Sequence, residues 1–86
     1  MKNYRVDFRP SARREFNKLT SDIKSRLQPR IDALAENPRP SGCQKMQGGE
    51  NLWRIRVGDH RVVYEIHDKI LTVLVVSVGN RRDVYR

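Results

Sequence analysis

Three arginines, Arg54, Arg56 and Arg61, stand in the most regular stretch of an 86-residue chain. Around them, apolar and charged residues alternate from Leu52 to Ile66, the period of a strand whose successive side chains face opposite sides. Gly58-Asp59 is a two-residue hairpin signal. A hairpin closed there pairs Val57 with His60, Arg56 with Arg61, Ile55 with Val62 and Arg54 with Val63. Trp53, Ile55, Val57, Val62, Tyr64 and Ile66 then face one way. Arg54, Arg56, Arg61, Val63 and Glu65 face the other. Like charges directly opposite on neighbouring strands repel, where a favourable pair would contribute about 0.2–1 kcal/mol. The pairing makes sense if an anion binds there.

Neighbouring segments add to the patch. A loop at Gly48-Gly49-Glu50-Asn51 sets Lys45 opposite Arg54 on the charged face and Met46 beside Trp53 on the apolar one. A turn at Asp68-Lys69 sets Arg61 beside Val76, so the chain after Val78 emerges at the Arg56–Arg61 end. Arg81, Arg82 and Tyr85 are then expected to fold over the same cations. A guanidinium presents a planar fork that matches phosphate. Phosphate clamped beside a phenol is an arrangement suited to RNA cleavage. The same residues also suit a plain solvated sheet face, with Tyr85 as the anchor of a tail.

Other reaction classes find no support. His60 and His67 flank turns without metal-ligand spacing, and Cys43 stands alone with no base identified beside it. Paired carboxylates, a Gly-rich phosphate loop and a Ser–His–Asp set are all missing from the sequence. Neither a metal nor a cofactor is expected.

The elements that must hold these residues are legible in outline. Tyr4, Val6 and Phe8 alternate with charged residues as a first strand. Pro10-Ser11 opens a helix with Ala12, Phe16 and Leu19 on one face. Thr20-Ser21-Asp22 caps a second helix with the stripe Ile23, Leu27, Ile31 and Leu34, and Pro29 predicts a kink or break near Ser25–Leu27. Asn37-Pro38 stops it. From Gln44 the period becomes two, and Ile70–Val78, apolar on both faces, reads as a central strand. The predicted fold is α+β, one domain over residues 1–86, with two helices packed on one face of an antiparallel sheet.

Composition bounds the partners. Thirteen of the 18 cations are arginine, and against 10 acids they give a net charge of +8. The pI is near 10.4. Such a surface expects a polyanion or an acidic protein. The longest apolar run, Val73–Val76, is far short of the roughly 18 residues that cross a membrane. The N-terminus lacks an apolar signal region, and a single cysteine fits a reducing compartment, so the expected location is the cytoplasm.

The run Leu52–Ile66 resembles the central hairpin of the RelE/ParE superfamily of type II toxin–antitoxin toxins. Val76-Ser77-Val78-Gly79-Asn80-Arg81-Arg82-Asp83-Val84-Tyr85 is similar to its C-terminal signature, and the likeness covers nearly the whole chain. The resemblance implies a fold like that of small microbial ribonucleases. It also implies ribosome-dependent mRNA cleavage by 2′-OH attack, without metal, with an acidic RelB-like antitoxin as partner in a hetero-oligomer. Carried onto this sequence, the functional positions are Arg54, Arg56, Arg61, Arg81 and Tyr85. The strand register adds Lys45 and Arg82 as expected substrate contacts. Basic helix residues, Arg13, Arg14, Lys18, Lys24, Arg26 and Arg30, are candidates for ribosomal RNA. The ParE branch of the same fold implies the alternative, a toxin that binds DNA gyrase and cuts no RNA. A non-catalytic nucleic-acid binder is a third possibility.

Overall fold

A computed structural model describes residues 3–49 and 51–80. Strand β1 (Arg5–Phe8) leads into helices α1 (Pro10–Asn17) and α2 (Ser21–Asp32) and a 3-10 turn at Ala33–Ala35. Strands β2 (Gln44–Lys45), β3 (Leu52–Val57), β4 (His60–His67) and β5 (Thr72–Asn80) follow. The sheet order is β1-β5-β4-β3-β2. β2 to β5 form the expected antiparallel meander, and β1 adds to it by pairing in parallel with β5, Arg5 beside Thr72 through Phe8 beside Val75. This places β5 between two strands and under the helices, which explains its run of valines.

Local chemistry sets the helices. Pro10 occupies the first turn of α1, where its missing N–H costs nothing, and Ala12 and Phe16, one turn apart, are buried. Thr20 caps α2, its Oγ1 accepting the Ile23 N–H at 3.4 Å. α2 runs through Pro29 without a break. The carbonyl that Pro29 leaves without a donor belongs to Ser25, and both residues are on the exposed side of the helix, where no buried polar group is created.

Leu27, Ile31 and Leu34 meet Ile55, Val62, Tyr64, Ile66, Val73, Val75 and Val78 from one face of the sheet. Tyr64 is fully buried, and its hydroxyl donates to the Pro38 carbonyl at 2.8 Å. Burial, with Cys43 beside it, pushes this phenol well above its ordinary pKa. Tyr64→Phe leaves a buried carbonyl without its donor and is expected to cost about 1–2 kcal/mol in a urea titration. At the same end of the sheet, Asp68 accepts from Tyr4 at 2.6 Å and pairs with Arg39 at 2.9 Å. Arg39 also lies over the Trp53 ring at 5.2 Å, so the segment after the helices is tied to the strands. The hydrogen bond to Asp68 is the main cause that raises the Tyr4 phenol above its usual value.

Two registers differ from expectation. Met46 N–H donates to the Leu52 carbonyl at 2.8 Å, so the β2–β3 loop takes in Gln47 and is one residue longer. Gln44 therefore pairs with Arg54, and Lys45 with Trp53. A one-residue slip moves a side chain to the other face of the sheet, so Lys45 leaves the charged face and Gln44 replaces it. The β4–β5 turn consumes Asp68–Ile70 and a left-handed Leu71 (φ 49°), so His67 pairs with Thr72. An irregularity between Val63 and Tyr64 then absorbs Val76. Arg61 consequently sits beside Gly79, not Val76. The extra residue also explains how Val75 and Val78, three apart, can both point into the core.

Candidate active site

The sheet face away from the helices carries the cations. Gly58 adopts the left-handed φ of 60° that opens a two-residue hairpin, and the β3–β4 register matches the sequence reading at every pair from Arg54 to His60. Arg56 and Arg61 are direct cross-strand partners, with Arg54 one step along. Arg56 is exposed and Arg54 half-buried, while Arg61 is 1% exposed. A guanidinium cannot shed its proton at physiological pH, so Arg61 is a permanent charge at low accessibility.

Carboxylates on this face are engaged elsewhere. Glu65, the nearest acid along β4, gives one oxygen to Arg9 at 3.0 Å and the other to His67 at 2.8 Å. Asp7 pairs with Arg5 at 3.1 Å. Among the described residues, no ion pair joins a carboxylate to Arg56. The face is thus divided, with a charge-balanced half around Glu65 and a cationic half at the Gly58-Asp59 end. Arg54 is steered by a hydrogen bond from its Nη2 to Gln44 Oε1.

Arg54, Arg56 and Arg61 are therefore brought together, and Lys45 is not. Arg81, Arg82 and Tyr85 lie outside the described residues. The strand leading to them ends beside the arginines, with Gly79 opposite Arg61 and Asn80 opposite His60. Arg9 is a cation of this face that the sequence reading passed over. Its signal was the alternation of Arg5, Asp7 and Arg9, which continues onto the same side. Of the helix cations, Arg13 stacks on Phe8 at 3.9 Å and Arg26 pairs loosely with Asp22 at 3.8 Å.

Fixed guanidiniums facing one another across a strand pair can clamp a phosphate and stabilise charge that develops on its oxygens. Such a face does not supply a proton acceptor from arginine alone.

Comparison with known proteins places this arrangement. Residues 6–85 match the family described as ParE toxin of type II toxin–antitoxin system, parDE. The mRNA interferase toxin RelE of Escherichia coli K12 is 31% identical over 80 residues, covering 91% of this chain and 83% of that one. In the solved E. coli RelBE toxin–antitoxin complex, the matching chain superposes with a TM-score of 0.80 at 30% identity, over 90% of this chain and 95% of that one. The archaeal RelE–RelB complex from Pyrococcus horikoshii gives 0.80 at 26% identity, over 94% and 97%. A cationic sheet face on a fold shared with RelE, and a family match over nearly its whole length, establish that the chain belongs to the ParE toxin family of type II toxin–antitoxin systems.

Proposed function

We propose that this toxin is a ribosome-dependent, metal-independent mRNA endoribonuclease that halts translation in the cytoplasm. The observation that carries the reading is the Arg56–Arg61 cross-strand pair, set on the face away from the helices while the acids of that face are held by Arg9, His67 and Arg5. Relatives at about 31% identity are named mRNA interferases, which supports the same chemistry.

In the proposed reaction, the 2′-OH of one nucleotide attacks the adjacent phosphorus. The bond from phosphorus to the 5′-oxygen breaks, leaving a 2′,3′-cyclic phosphate and a 5′-OH. Arg61 and Arg81 hold the scissile phosphate and stabilise the charge gathering on its oxygens. Arg56 balances that charge, and Arg54 and Arg82 position the flanking strand. Tyr85 orients the 2′-OH or takes its proton. The partner is an acidic RelB-like antitoxin, in line with the RelE–RelB complexes among the structural relatives.

The test incubates the protein with mRNA-programmed ribosomes and maps breaks, beside a gyrase supercoiling assay. Cuts bearing 5′-OH ends, abolished by Arg81→Ala, are expected. Intact mRNA with inhibited gyrase would overturn the reading. A second measurement follows from the exposure of Arg56. Binding of single-stranded RNA should weaken with salt, and Arg56→Ala should reduce the log–log slope by roughly 0.7, the share of one phosphate contact.

A further inference from the structure

The last strand outruns its neighbour. β1 ends at Phe8, opposite Val75, while β5 continues to Asn80, so its final stretch has β4 on one side and, among the described residues, no strand on the other. The two-residue turn at Gly58-Asp59 closes on the Val57–His60 pair, which exchanges both backbone bonds. Ladder partners alternate, so Arg61 turns its N–H and C=O to Gly79 on β5, and Val78 turns its own outward. That outward N–H has an acceptor on α1: Glu15 Oε1, at 2.9 Å.

Glu15 is the one acid of α1, close to Arg13, Arg14 and Lys18, and it lies in the last turn. A carboxylate there meets the negative end of the helix dipole, so the helix itself gives it no support. The strand amide does. Buried Ala12 and Phe16 fix the helix that carries it, and Phe16 meets Phe8 edge to face at 5.8 Å. α1 is thereby pinned where β1 stops covering β5. The Val78 side chain is buried on the helix side, and Glu15 secures its main chain. Gly79, with no side chain to pack, is held through this neighbour.

We propose that Glu15 is a positioning residue for the cleavage site: it stands in for the missing stretch of β1 and holds Gly79 against Arg61. The inference rests on the reading that Arg61 clamps the scissile phosphate. Loss of the acceptor lets the Gly79 peptide shift, and the Arg61 main chain moves with it. A misplacement of about 1 Å can cost up to about 100-fold in rate.

The test compares three variants of the full chain on programmed ribosomes. Glu15→Ala should lower kcat about tenfold with KM unchanged. Glu15→Gln keeps an oxygen at the same reach and should restore the rate to within about threefold of wild type. Glu15→Asp is one methylene short and should behave as the alanine variant. Hydrogen exchange at the Val78 amide should speed about tenfold in the alanine and aspartate variants and not in the glutamine one. The Arg61 Nε–H resonance should move in the same two. A thermal melt checks each fold, and Glu15→Asp serves where the alanine variant fails to fold. Cleavage by Glu15→Ala within about twofold of wild type, a raised KM with kcat intact, or equal Val78 exchange in all four proteins overturns the positioning role. So does a glutamine variant as slow as the alanine one, since charge and not reach would then be at work. Wild-type protein that leaves mRNA whole overturns the cleavage reading, and the exchange rates and the Arg61 resonance then decide whether Glu15 holds the strand.

Discussion

Arg61→Ala is expected to lower mRNA cleavage by about 100- to 1000-fold, the equivalent of about 3–4 kcal/mol of transition-state stabilisation. The size follows from position. Arg61 is 1% exposed and faces Arg56 across the strand pair, so its charge acts where little water remains to screen it. An exposed arginine on the same face would act through a high dielectric and lose far less. Arg61→Lys keeps the charge but not the planar fork, and should recover only part of the lost rate. Single-turnover cleavage on programmed ribosomes measures both, and a thermal melt separates a lost contact from a lost fold. Cleavage by Arg61→Ala within threefold of wild type would show that the phosphate lies elsewhere.

The second large effect is on stability. Leu27 is fully buried where α2 packs on the sheet. Truncation to alanine removes transfer energy and leaves a cavity, at a cost of about 2–5 kcal/mol. In a domain of this size each kcal/mol shifts the midpoint by roughly 4–8 °C, so a loss of about 3 kcal/mol lowers it by roughly 12–24 °C. The same change at Ile70, which is 70% exposed, should move it by less than about 0.5 kcal/mol. Calorimetry of the two variants side by side checks the assignment of the core.

The Arg56–Arg61 pairing was legible because a two-residue turn at Gly58-Asp59 leaves the register no freedom, and the apolar alternation on either side names the buried face. Longer loops carry no such constraint. The β2–β3 loop takes in Gln47, a change no composition signal marks, and that single residue moves Lys45 away from the site. The β4–β5 turn closes through a left-handed Leu71, a conformation that a leucine does not advertise. The irregularity at Val76 is equally silent, since valine suits a paired and an unpaired strand position alike. β1 is a different case. Its alternation announced a strand, but its partner lies far along the chain, and pairing across that distance is decided by the packed core. Alternation places Glu65 on the face of the arginines, but not its partner; Arg9, delivered by that same distant pairing, holds it.

The pairing of β1 with β5 also orders events during synthesis. Arg5 takes its place only beside Thr72, a partner made 67 residues later. Until β5 exists, β4 lacks one neighbour, the valines that the helices cover are missing, and Arg61 lacks its pairing partner Gly79. The cationic face can therefore form only once synthesis has passed β5 and the strand has paired with β4 and β1.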